Sequence, residues 1–193
     1  MRQALWLLCL LLSFTCLLPA VRAMPTRATE PGPTADTPLP QPRWRMFAPL
    51  GGRFTVLLPA TPVALAGSGF QTYTCHVNDV RYVVQYNDRS PKSVQYIGAE
   101  QTLKIVRDAF LKTSRSRLLS ESRLTRNGFP GLKLVALRPR GRQETICTYV
   151  AGAREYHLIV AFPVRDAAAQ ADADKFLDSF APAPVPLPDA VRK

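Results

Sequence analysis

NGFPGLKLVALRPRGRQETICTYVAGAREYHLIVAF, residues 127–162, decides the fold. It contains three strand-like runs, Leu132–Leu137, Thr145–Val150 and Tyr156–Phe162. Their β-branched and aromatic side chains suit a pleated, half-buried surface. Arg140-Gly141 and Gly152-Ala153 are the turns between them, and Asn127 to Gly131 is a dense turn signal ahead of them. Runs joined this closely form an antiparallel meander.

Working outward, Leu118–Thr125 reads as another strand. Before it, Gly98 to Ser114 carries a helical period: Leu103, Val106 and Phe110 fall at i, i+3 and i+7, with Ala99 and Ala109 beside them. Further upstream, Phe70–Val77 and Val80–Tyr86 flank Asn78-Asp79, a hairpin. Phe54–Leu58 is a strand ended by Pro59 and Pro62, and Trp44–Phe47 is a shorter one that leads to a turn at Gly51-Gly52. Downstream, a helix starts near Asp166, with Ala169, Ala173, Phe176, Leu177 and Phe180 as its apolar stripe. Asp166, Asp172 and Asp174 lie toward its N-terminal part, where the helix dipole favours them. The pattern predicts an α+β domain: an antiparallel β-sheet flanked by two main helices. Regular βα alternation is absent, which argues against a doubly wound nucleotide fold.

The ends read differently. Arg2, an apolar run from Leu5 to Leu18, Pro19 and Val21-Arg22-Ala23 follow the grammar of a secretory signal peptide over 1–23. The run is shorter than the roughly 20 residues a spanning helix needs. Cys16 follows Phe14 and Thr15 rather than the small residues that acylation requires. Residues 24–43 form a Pro-rich disordered linker and 181–193 a Pro-rich tail. The domain between, 44–180, is long enough for one core. The expected location is therefore outside the cytoplasm, periplasmic or extracellular, with no transmembrane segment once the signal is cut.

Cys9 and Cys16 leave with the signal, and Cys75 and Cys147 remain. In an oxidising compartment the pair could form a disulfide closing a long loop. Alternatively, both are buried thiols packed as small hydrophobes.

Several phrases resemble small extracytoplasmic PsbP-like (DcrB-like) domains. Trp44-x-x-Phe47, Gly52-Arg53-Phe54-Thr55-Val56 and Leu58-Pro59-x-x-Pro62 are similar to their opening. Gly128-Phe129-Pro130-Gly131 resembles their "GYPG" turn. Tyr149-x-x-Gly152-x-Arg154-x-Tyr156-x-Leu158 resembles a hairpin of theirs, and Lys175 to Phe180 resembles their closing "FLDSF" helix. The resemblance implies an αβα sandwich and a non-enzymatic accessory or binding role. It carries over no metal or chloride ligands. Gly128 and Gly131 then read as positions needing backbone conformations that other residues avoid.

No catalytic set is legible. Only His76 and His157 are present, and no G-x-S-x-G occurs. Cys75 and His76 are neighbours on a strand and point to opposite faces. Cys147 and His157 sit on adjacent strands, where a pairing stays open. No metal-ligand spacing and no phosphate loop appear, so no cofactor is expected.

The distinctive feature is charge. The chain has 25 Lys and Arg against 14 Asp and Glu, a net +11. Ser90 to Arg142 holds twelve basic residues and three acidic ones. Arg115, Arg117, Arg123 and Arg126 follow the first helix, and Arg138, Arg140 and Arg142 surround a hairpin turn. In extended chain, Arg115 and Arg117 share a face, as do Arg138, Arg140 and Arg142. Such a surface attracts polyanions. The competing explanation is that arginine serves as a generic solvated residue.

Three functions follow. The first is an accessory module docking onto an unknown envelope protein assembly. The second is a binder of an anionic surface, lipid or glycan, through the arginines; export and the lack of interleaved aromatics disfavour nucleic acid. The third is an enzyme whose candidate groups are Cys75, His76, Cys147 and His157.

Overall fold

The structure, a computed structural model, describes residues 43–67 and 69–183. The segments read as a signal peptide (1–23) and as a linker, up to residue 42, and the segment read as a tail, beyond residue 183, lie outside the described residues. The elements are β1 (Arg45–Phe47), β2 (Phe54–Leu58), β3 (Val63–Leu65), β4 (Gln71–Val77), β5 (Val80–Asp88), α1 (Pro91–Tyr96) and α2 (Ala99–Ser114). They continue with β6 (Arg117–Arg126), β7 (Phe129–Arg138), β8 (Arg142–Ala151), β9 (Arg154–Pro163), α3 (Ala167–Asp178) and β10 (Ala181–Pro182). The domain is α+β, and every strand pairing described is antiparallel.

A seven-stranded sheet has the order β3-β4-β5-β9-β8-β7-β6. The meander places β6 to β9 side by side, as its short turns require. β5 joins them through β9, pairing Asp88 with Arg154 and Arg81 with Ala161. The chain therefore leaves the sheet in its middle, after β5, and re-enters at its far edge as β6. Four strand spacings cover about 19 Å. The 16-residue α2 is about 24 Å long and makes that crossing.

Period-2 alternation sorts the side chains onto two faces. One face holds Tyr82, Val84, Tyr86, Cys147, Tyr149, Tyr156, Leu158, Val160 and Phe162. On it lie α3, through Ala169, Ala173, Phe176 and Leu177, and β2, through Phe54, Val56 and Leu58. The alternate residues Leu132, Leu134, Ile146 and Val150 pack with Leu103 of α2, joined by Phe110 and Ile159. Asp166 caps α3, its carboxylate accepting from the Ala169 N–H at 2.9 Å.

Beyond α3, the Ser179 hydroxyl accepts from the Leu57 N–H at 2.8 Å and donates to the Phe176 carbonyl at 2.7 Å. Ala181 and Pro182 pair with Thr55 and Phe54, and the Ala183 N–H donates to the Arg53 carbonyl. The first residues of the segment read as a tail thus extend a small sheet, β1-β2-β10.

Arg154 clamps the Gly51-Gly52 turn to the main sheet. It donates to both oxygens of Asp88 at 2.6 Å and to the Gly51 and Gly52 carbonyls at 2.6 and 3.0 Å. The Arg154 guanidinium holds the Asp88 carboxyl below its ordinary range. Gly128 does adopt a positive φ, 80°, in the β6–β7 turn. Gly131 does not. Its glycine is required because a Cβ there would meet Tyr149 Cδ1 at 2.6 Å and the Thr148 carbonyl at 2.7 Å.

The disulfide alternative is overturned. Cys75 and Cys147 are both free and buried. Cys75 lies on β4 and Cys147 on β8, with β5 and β9 between them. Three strand spacings put them roughly 14 Å apart, whereas a bridge needs Cα atoms within about 7 Å. Both thiols pack in the α3-side core, where burial pushes the Cys147 thiol up to about 12 and raises that of Cys75. Both are expected to resist thiol reagents in the native protein and to react on denaturation. Peptide mapping after alkylation should recover each as a free thiol; a linked pair of peptides containing Cys75 and Cys147 would contradict the topology.

Candidate functional site

Four chain reversals meet at one end of the large sheet: the β4–β5 turn, the β7–β8 turn, the end of α2 and the end of β9. The β4–β5 turn has Asn78 at φ 51°, and its register sets His76 opposite Arg81. Both fall on the α2 side of the sheet, opposite buried Cys75 and Tyr82. The β7–β8 turn sets Arg138 opposite Arg142 on that same side. At its tip Arg140 has φ 69° and Gly141 φ 69°. The α2 C-cap is Arg115 in the left-handed conformation, φ 52°.

These residues enclose a cleft of about 690 Å³. Its walls include His76, Asp79, Arg81, Ser114, Arg115, Arg138, Arg140 and Arg142. Two acids hold part of the arginine set in place. Glu144, 3% exposed, accepts through one oxygen from Arg81 and Arg138, each at 3.3 Å. Asp79 accepts from Arg142 at 2.8 Å, and the same guanidinium donates to the Asp79 and Ala161 carbonyls. Arg115 and Arg140 have no acceptor among the described residues. Five guanidiniums face two carboxylates, leaving +3 at the cleft. The second oxygen of Glu144 and the Ser114 hydroxyl are buried without a hydrogen-bond partner among the described residues.

The seven arginines singled out in the sequence therefore separate. Arg115, Arg138, Arg140 and Arg142 converge, and Arg117 starts β6 beside them, opposite Leu137. Arg115 caps a helix, so it does not share a strand face with Arg117. Arg123 and Arg126 lie toward the other end of β6. Arg123 pairs with Glu100 at 2.8 Å, and Arg126 donates to the Asp178 carbonyl at 3.1 Å. The smaller hollow at Arg123 has mixed charge, with Arg107 donating to Glu121 at 2.6 Å.

Arg81 and Ser114 are contributors that sequence reasoning missed, and His76, read there as a candidate enzyme group, lines the cleft as well. Alternation places Arg81 on the face away from Tyr82, but only the strand order shows that this face meets Arg138.

The candidate enzyme groups do not assemble. Cys147 pairs in register with Leu158, and His157 with Thr148, so their side chains occupy opposite faces. His157 is buried, its Nδ1 within 3.0 Å of the Thr148 hydroxyl and its ring edge-on to Phe70. His76 is on the exposed face opposite Cys75. Among the described residues no three His, Cys, Asp or Glu side chains converge as metal ligands. No described helix is long and apolar enough to cross a membrane.

No protein-family profile matches the chain, and no curated protein does. Among solved structures, that of cyanobacterial PsbP from Synechocystis sp. PCC 6803 is similar over 77% of this chain and 96% of that one. The TM-score is 0.54 at 11% identity. A Pseudomonas aeruginosa protein of unknown function, PA94, aligns over 75% of this chain and 98% of that one, with a TM-score of 0.43 and 9% identity. The chain has a PsbP-like fold. At such identity the likeness speaks of fold, since function resides in the site.

Proposed function

We propose that the chain is a non-enzymatic accessory module of the cell envelope that captures an anionic group of an envelope component in its arginine cleft. The observation that carries this reading is the cleft itself: +3 at the meeting of four chain reversals, with two arginines that have no acceptor among the described residues. Arginine forks match carboxylate and phosphate geometry, and a cleft with low-dielectric walls strengthens their field. Export is supported by the apolar N-terminal run, and the αβα sandwich by the separate packing of α2 and α3 in two core clusters.

The test is capture from the native envelope fraction at low and moderate salt, using the protein and its Arg115→Gly/Arg140→Gly variant. One envelope protein retained in both buffers, and lost with the variant, is the expected result. Anionic lipid or glycan retained only at low salt would move the role to surface binding, because screening shortens the reach of exposed charge. Equal capture by the variant would remove the cleft from the function.

A further inference from the structure

We infer that the group received by the cleft is a phosphate monoester, held chiefly by Arg115 and Arg140. This rests on the anion-capturing reading above and adds the chemistry of the ligand. Three observations point to it.

The first is charge. A +3 cleft is left well short of neutral by one carboxylate, whereas a phosphate monoester brings close to two negative charges at neutral pH. The second is the supply of donors. Arg81 and Arg138 are already aimed by Glu144, each spending one terminal N–H on it, and Arg142 is pinned by Asp79. Arg115 and Arg140 spend none on any described residue. A phosphate group offers three acceptor oxygens to such converging forks. The cleft, at about 690 Å³, exceeds a phosphate and leaves room for an organic remainder beside Pro139 and Ala161.

The third is backbone strain. Arg115 and Arg140 both stand in the left-handed region, at φ 52° and 69°. A side chain with a Cβ is disfavoured there, and glycine is the comfortable choice. Residues held in that region gather at ligand clamps. The backbone at both positions favours glycine, as it does at Arg53 (φ 56°) outside the cleft, so it does not itself call for arginine.

That strain also supplies a clean test, because Arg115→Gly and Arg140→Gly suit the local backbone and should keep the fold. Isothermal titration of the purified protein would use phenyl phosphate, with succinate as the carboxylate control. Phenyl phosphate is expected to bind at least tenfold more tightly than succinate. Each glycine variant should lose at least tenfold in affinity while its melting temperature is unchanged or higher. Vesicles of phosphatidylcholine containing phosphatidic acid distinguish the source. Capture on them, reversed by phenyl phosphate, assigns the phosphate to a lipid head group; binding of soluble phenyl phosphate without vesicle capture assigns it to a non-lipid component.

Succinate binding as tightly as phenyl phosphate would overturn the phosphate assignment and leave the anion reading standing. No binding of either would overturn both. Full binding by the two glycine variants would place any phosphate elsewhere on the surface and end the assignment to this cleft. Phosphate binding with no envelope component captured would leave the inference standing and remove the docking role.

Discussion

Replacing Phe180 with alanine is expected to destabilise the domain by about 4 kcal/mol, near the top of the range for core truncations. Phe180 lies two residues past α3 and is 0% exposed. Its ring stacks on Tyr149 with centroids 5.3 Å apart, meets Tyr156 at 5.3 Å and Phe54 at 5.6 Å. Those three rings come from β8, β9 and β2, so one side chain joins the large sheet to the small one. Truncation forfeits its transfer energy and opens a cavity that three rings fixed on strands fill poorly. Each aromatic pair lost adds about 0.5–1.5 kcal/mol beyond area. Against a typical total of about 5–15 kcal/mol, the loss would lower the melting temperature by roughly 10–20 °C. Urea unfolding followed by circular dichroism would measure it. Phe180→Leu should recover more than half of the loss. A cost below about 1 kcal/mol for alanine would mean that the ring is not the keystone its burial implies.

Arg89→Ala is the second large effect, expected at about 3 kcal/mol or more for a different reason. Arg89 and Glu155 form a buried ion pair at 3.3 Å, their side chains 5% and 12% exposed. The same guanidinium donates to the Ser93 carbonyl at 3.1 Å and to the Ile97 carbonyl. Removing it strands the Glu155 carboxylate in a poorly solvated site, with His157 3.7 Å away as its remaining neighbour among the ion pairs described. It also strips donors from α1 and the residue that follows it. Faster hydrogen exchange over 91–97 should accompany the loss of global stability. The double replacement Arg89→Met/Glu155→Met removes both charges and should cost far less than Arg89→Ala, since desolvation consumes most of what a buried pair gains. If the double variant is as unstable as the single one, the effect belongs to α1 anchoring and not to the stranded carboxylate.

The same two residues mark where sequence reading stops. α1 is six residues long, below what an isolated helix needs, and it is held by Ser90 at its start and Arg89 from the sheet. No periodicity announces it. β3, with all three residues exposed, and the two-residue β10 are equally silent. The longer elements were legible because their patterns are local. The hairpins at 78–79, 139–141 and 152–153 follow turn chemistry, and the α3 stripe Ala169, Ala173, Phe176, Leu177 is buried as its spacing demands. The fold class follows from those.

The amino-acid sequence by itself determined the longer strands, which of their residues share a face, and that Arg138, Arg140 and Arg142 gather at one turn. Each of these depends on neighbours a few positions apart, through a two-residue or 3.6-residue period. The tertiary structure decided which ends meet. The crossover from β5 to the far edge lays α2 across the sheet and carries Arg115 to Arg138, while β5 brings Arg81 and β4 brings His76. It also took Arg123 and Arg126 to other partners and set two strands between Cys75 and Cys147. Those outcomes depend on strand order, a sum of pairings between residues far apart in the chain, and no local period encodes that sum.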